Sequence, residues 1–147
     1  MNVKTVLAAK NRSLGGDIVS IEPTANLTAA AKLLSAHRIG AVVILGAGGR
    51  LAGILSERDI VRAVSEHGAA ALNLSVGQVM TRNVATCTAD ESVASIMERM
   101  TAGKFRHVPV VTDGKLTGLI SIGDVVKHHV EEIESESEAM RDYIRTA

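Results

Sequence analysis

The sequence predicts a mixed α/β (α+β) fold made of two tandem β-α-β-β-α units, and three observations carry that prediction. The chain repeats itself at an offset of 66 residues, each copy switches between extended and helical apolar spacing, and turn residues fall at matching places. Ile18 falls on Val84, Ile21 on Cys87, Pro23 on Ala89, Leu27 on Val93, Leu34 on Met100 and Val42 on Val108. One residue then drops out, and at an offset of 65 the segment GILSERDIVR lies on GLISIGDVVK, matching Gly53, Ser56 and Asp59 to Gly118, Ser121 and Asp124.

Each copy opens on a short extended piece, Ile18 to Ile21 or Val84 to Cys87. A helix follows, with Leu27, Ala30, Ala31 and Leu34 on one face in the first copy and Val93, Ile96, Met97 and Met100 in the second. A polar break (Ala36-His37-Arg38; Ala102-Gly103-Lys104) precedes a β-branched run, Ala41 to Leu45 or Val108 to Val111, which reads as a buried strand. A hairpin turn, Gly46-Ala47-Gly48-Gly49 or Asp113-Gly114, leads into a second strand, Leu51 to Leu55 or Leu116 to Ile120, and a second helix starts at Ser56 or Ser121. A unit of about 50 residues is too small to stand alone, so pairing two buries a shared core.

Short helical lead-ins, Val3 to Ala9 and Val76 to Thr81, precede the copies, and residues 67–73 link them. The expected organisation is residues 1–72 for repeat 1 with its lead-in, 73–130 for repeat 2, and 131–147 for a C-terminal helical extension. That last helix carries Val126, Val130, Ile133, Met140 and Ile144, and its polar face is acidic through Glu131, Glu132, Glu134, Glu136 and Glu138.

Composition narrows the function. Of 147 residues 46% are apolar, yet Phe105 and Tyr143 are the only aromatic side chains, and sixteen basic residues balance sixteen acidic ones. Nucleic-acid binding needs a basic stripe or stacking platforms, and neither is present. The longest apolar run, Ile39 to Leu45, is far short of the ~20 residues that span a bilayer. The N-terminus has no long apolar secretory segment, and a single cysteine cannot form an internal disulfide. The expectation is a cytoplasmic protein with no membrane or nucleic-acid partner.

Two β-α-β-β-α units, each with a strand followed by Gly-h-h-Ser-x-x-Asp-h-h (h, apolar), resemble a cystathionine-β-synthase (CBS) domain pair, or Bateman module. GILSERDIV, GLISIGDVV and the intervening GKFRHVPVV carry the likeness, which covers Val3 to Lys127 and is nearest the free-standing bacterial CBS proteins. The resemblance implies repeats related by a pseudo-two-fold, a disc-shaped homodimer, and two clefts between repeats that bind adenosine-containing ligands such as AMP, ATP, NAD or S-adenosylmethionine. It implies a non-enzymatic sensor of adenine nucleotides (AMP, ADP, ATP) or NAD, with no required cofactor and an unknown regulated protein as partner. The alternative is a scaffold dimer acting by protein contact with empty clefts. A chain this short has no room for a catalytic barrel and shows no nucleophile–base constellation.

Particular residues take the implied roles. Asp59 and Asp124 lie in the first turn of the second helices, where a carboxylate can accept two hydrogen bonds from a ribose cis-diol. Ser56 and Ser121 offer hydroxyls beside helix N-terminal amides. The same Ser-x-x-Asp pattern is also a plain helix cap, and the two roles are compatible. Gly53 and Gly118 leave room for another chain segment or a ligand. In the family, backbone around the first strand receives adenine, which here means Ser20, Ile21 and Pro23 in one repeat and Thr86, Cys87 and Thr88 in the other. Phe105 either packs or lies near adenine. Arg106 can hold a phosphate bidentately, with Lys104 and His107 beside it, and repeat 1 instead offers Arg58 beside Asp59, where repeat 2 has Gly123. Gly40 and Ala41 stand where Arg106 and His107 stand, so the two sites are expected to be inequivalent.

Other signals are set aside. The glycines 46–49 precede a strand and so do not form a dinucleotide loop. Cys87 is a core position. His128 and His129 point about 100° apart on a helix, which favours a solvated or dimer-facing role over a metal site. His37 and His67 are loop residues.

Overall fold

A computed structural model describes residues 1–14 and 18–146; Asp17, where the repeat alignment begins, and Ala147 lie outside them. The order is α1 (Val3–Leu14), β1 (Ser20–Ile21), α2 (Leu27–His37), β2 (Ala41–Leu45), β3 (Leu51–Ser56), α3 (Glu57–His67), α4 (Val76–Val79), α5 (Val93–Gly103), β4 (His107–Thr112), β5 (Lys115–Ser121) and α6 (Ile122–Thr146). The β-α-β-β-α order is thus present in repeat 1. In repeat 2 the first strand shrinks to a one-residue parallel bridge from Cys87 to Val110.

The chain divides into two compact units, one of Met1–Asp17, Thr86–Val111 and Gly118–Ala147, the other of Ile18–Ala85 and Thr112–Thr117. In the second of these, β1 pairs parallel to β2 and β2 antiparallel to β3, with Ala41 opposite Ser56 and an irregularity at Ile44/Leu45. Leu27, Ala30 and Leu34 of α2 close over Val42, Ile44 and Leu55, while Ala31 is only half-buried. In the other unit, Val93, Ile96 and Met100 of α5 do the same over Val108, Val110 and Ile120. Both helices end on a basic residue in the left-handed region, Arg38 (φ 53°) and Lys104 (φ 56°), so the polar breaks act as C-caps. The β4–β5 turn places Asp113 and Gly114 at positive φ, as a tight two-residue hairpin requires.

The lead-ins depart from the expected organisation. The expected organisation gives each lead-in to the repeat it precedes, but each folds with the other. The Val3 amide donates to the Glu91 carbonyl, Lys4 to Ala89, and Val93 to Met1, at 2.9, 2.8 and 3.1 Å. The same three bonds recur as Val76 to Ala25, Gly77 to Pro23 and Leu27 to Leu74, at 2.7, 2.9 and 3.0 Å. A helix start with orphan amides finds acceptors in a neighbouring turn, and the turn that fits belongs to the partner repeat.

In α6, Val125 and His128 face inward and are buried. Of the two roles expected for His128, solvated or dimer-facing, the solvated one does not hold: the residue is buried, with Nδ1 3.6 Å from Glu131 Oε2. From Ile133 to Thr146 every residue of α6 is exposed. No helix among the described residues is long and apolar enough to cross a membrane.

Candidate functional site

Ser56 is the N-cap of α3, and Asp59 is the third residue of that helix. The Ser56 amide and hydroxyl both donate to Asp59 Oδ2, at 2.9 and 3.1 Å, and the Asp59 amide donates back to Ser56 Oγ at 3.3 Å. Repeat 2 is built alike, with the Ser121 amide 2.9 Å from Asp124 Oδ2 and the Asp124 amide 3.2 Å from Ser121 Oγ. The capping reading is thus met in both copies. A carboxylate has about four acceptor positions, so a reciprocal cap leaves Asp59 Oδ1 able to accept from a further donor. Arg62 stands 3.6 Å from that oxygen, but its side chain is 67% exposed. Arg62 thus adds little.

The segment before each buried strand lies against this helix start. The Glu57 amide donates to the Gly40 carbonyl at 2.9 Å, and the Ile122 amide to the Arg106 carbonyl at 2.8 Å. Gly40 and Arg106 are the residues that differ between the repeats where phosphate is expected, and both adjoin the Ser-x-x-Asp turn. Arg106 and Lys104 are exposed, and His107 is half-buried at the start of β4. Arg58 is exposed in the first turn of α3.

The backbone expected to face adenine is hydrogen-bonded in both repeats: Ser20 and Ile21 pair with Val43 and Ile44 of β2, and the Pro23 carbonyl accepts from Gly77. The Cys87 amide donates to the Pro109 carbonyl and its carbonyl accepts from Val111. The Thr86 carbonyl accepts from Arg99 at 2.7 Å, and the Thr88 amide donates to Glu91. Ser20 is exposed, with Ile21 and Pro23 half-buried. Cys87 is a core residue; burial, then the nearby Glu91 charge, pushes its thiol up to about 11. Phe105 packs against the core, and a Cβ at Gly103 would run into its ring.

Gly53 and Gly118 both serve close approach by the chain itself. A Cβ on Gly53 would stand 2.7 Å from the Thr81 carbonyl oxygen, and one on Gly118 2.5 Å from Leu7 Cδ2. Sequence reasoning missed what comes with the second of these. Lys10, one helical turn beyond Leu7, places Nζ 2.8 Å from the Leu119 carbonyl and 2.9 Å from Asp124 Oδ2. Burial works to raise the Asp124 carboxyl, but the Ser121 amide and then Lys10 hold it below the usual carboxylate range. The available signal was the i, i+3 spacing of Leu7 and Lys10, legible only once α1 is known to pack on repeat 2. Asp59 instead borders an open depression of about 300 Å³, lined also by Arg62, Glu66, His67, Leu74 and Gln78. Among the described residues no group of three or more His, Cys, Asp or Glu is placed to hold a metal ion.

Comparison with known proteins adds independent findings. The family model for the CBS domain matches residues 14–66 and 76–131. A mitochondrial CBS domain-containing protein of Arabidopsis thaliana is 32% identical over 97% of this chain and 71% of its own. Longer Arabidopsis CBS proteins also match, and the chain spans only 20% of the length of one of them. The crystal structure of a CBS-domain protein from Agrobacterium tumefaciens is 47% identical and covers 88% of this chain and 99% of its own, with TM-score 0.83. A CBS domain pair solved with 5′-methylthioadenosine and S-adenosyl-L-methionine is 26% identical over 90% of this chain and 98% of its own, with TM-score 0.76.

Proposed function

Because this chain belongs to the CBS-domain family and carries both repeats of the pair, we propose that it is a non-enzymatic regulatory module that senses an adenosine-containing ligand, AMP, ADP, ATP or NAD. The observation that carries the reading is the paired Ser-x-x-Asp helix start. In both repeats a carboxylate is held in the first turn by its own serine, beside the carbonyl of the residue that precedes the buried strand. That arrangement offers a ribose diol an oriented anionic acceptor, with helix N-terminal amides nearby for a phosphate. The related pair holding two adenosine compounds supports the ligand class.

Ligand acts by favouring whichever conformation binds it better. A ligand that binds only the folded chain raises its melting temperature by an amount that grows with the logarithm of ligand concentration over Kd. Thermal melts with AMP, ATP and NAD should therefore show a rise that Asp59→Ala reduces. No rise with any of the three leaves the scaffold reading standing.

The module works as a cytoplasmic homodimer. The stripe Val126, Val130, Ile133, Met140 and Ile144 supports this, since it lies exposed at alternating four- and three-residue spacing, with Ser137 completing the seam of a paired helix. Removing residues 131–147 should lower the solution mass from dimer toward monomer; an unchanged dimer mass places the interface elsewhere. The same stripe favours a second reading, in which the clefts stay empty and the dimer regulates a partner protein by contact.

A further inference from the structure

We infer that Lys10 closes the ribose position of the second repeat, so that the folded chain takes its adenosine-containing ligand at Asp59 and admits one at Asp124 only when α1 withdraws. The inference rests on reading both aspartates as ribose acceptors.

The geometry is local to each unit. Leu7 and Lys10 lie one turn apart on α1, so their side chains leave the same face of the helix. Leu7 lies where a side chain on Gly118 would have to go, and Lys10 reaches past it to the Leu119 carbonyl and Asp124 Oδ2. Together they meet the repeat's Gly-h-h-Ser-x-x-Asp segment at Gly118, Leu119 and Asp124. A cis-diol is held by donating its two hydroxyl protons to an uncompensated carboxylate. At Asp124 the ammonium already donates to the oxygen that caps the helix, and its charge cancels the one the diol needs.

Repeat 1 lacks the device because its lead-in is short. Aligned by their shared backbone bonds, Val3 corresponds to Val76, Leu7 to Met80 and Lys10 to Asn83. Met80 still meets Gly53, but α4 has ended at Val79, and Thr81 pairs with Ile54. Asn83 carries no charge and is exposed. Where α1 delivers a cation to the carboxylate, α4 delivers none. Exposure alone points the other way, because the Asp59 side chain is 8% exposed and that of Asp124 24%. The difference lies in the partner: a cation at 2.9 Å anchored also to the backbone, against one at 3.6 Å on an exposed side chain.

Calorimetric titration of the full chain with AMP tests this. The wild type should take up one AMP per chain, lost in Asp59→Ala and kept in Asp124→Ala. Lys10→Met should take up two, the second lost again in Lys10→Met/Asp124→Ala, whereas Lys10→Arg, which keeps the charge, should stay at one. Should Lys10→Met melt early, Lys10→Gln repeats the test with a polar stem. A wild type that binds two AMP, one of them through Asp124, overturns the inference, as does a Lys10→Met that gains nothing while the wild type binds through Asp59. In both cases the ribose reading survives. If neither the wild type nor any variant takes up AMP, ATP or NAD, the ribose reading fails and the inference falls with it.

Discussion

The two repeats share a plan to the level of individual backbone hydrogen bonds and differ in how far one helix runs. Three bonds fasten α1 to repeat 2, and the same three fasten α4 to repeat 1. Beyond that point α1 continues to Leu14 while α4 stops at Val79. Duplication thus supplies two copies of a ligand-binding frame, and a length difference outside the conventional repeat makes them unequal. Residues that contact the site need not lie in the motif that defines it.

The largest test of this comparison concerns the cores, where the repeats should behave alike. Leu55 and Ile120 occupy matching strand positions and are fully buried. Replacing either with alanine should cost about 2–5 kcal/mol in denaturant unfolding. A cost confined to one of them would show that the units do not contribute alike to stability.

The glycines should break the symmetry. A methyl on Gly53 meets a backbone carbonyl and Met80, whereas one on Gly118 meets the end of a leucine that can rotate. Overpacking costs about 1–3 kcal/mol, so Gly53→Ala belongs at the top of that range and Gly118→Ala at the bottom. Equal losses by urea titration would mean that Leu7 is as rigidly held as the Thr81 backbone.

Acid should act on repeat 2 through Asp124. Its folded carboxyl titrates below the unfolded value of 3.8, so its contribution to stability is present above that pH and is lost as pH falls through the lower folded value. Asp124→Asn should flatten the pH dependence of the urea midpoint below about pH 4, and Lys10→Met should flatten part of it. An unchanged slope in both would remove the pair from the account.

The smallest effect is chemical. Cys87 has its thiol raised from 9.0 to about 11 by burial. At pH 8 a thiol reagent should label it only as the chain opens, since the thiolate is the reactive form. Stability drawn from this group is complete below pH 9 and declines above it, because the unfolded thiol ionises first. Rapid labelling of the folded chain would place Cys87 outside the core.

The sequence made the strand and helix order legible because both rest on short-range periodicity. Leu27, Leu34, Ile96 and Met100 declare a helical face within a dozen residues, and Ser56 and Ser121 declare a cap within four. The exchanged lead-ins were not legible, because nothing within Val3 to Ala9 says which of two similar turns will accept its amides. Lys10 stayed hidden for the same reason. The burial of His128 was not legible, because two adjacent histidines give no indication of which faces inward until α6 has a side to pack on. Val84 to Cys87 has the spacing of a strand, yet of these residues Cys87 alone is bridged, although β1 pairs at two residues with the equivalent edge of repeat 1.

The exchange of lead-ins also orders events while the chain is being made. When α4 leaves the ribosome its acceptors, Pro23 and Ala25, already exist, so repeat 1 can close as soon as its lead-in partner appears. α1 is made first, yet its acceptors at Ala89 and Glu91 come more than 80 residues later. At ~5–20 residues per second it waits roughly 4–20 s. A helix of 12 residues is marginal alone in water, so through that interval the segment bearing Lys10 has little to hold it. The closing of Asp124 is then among the last steps of folding, and the first repeat can assemble before the second is sealed.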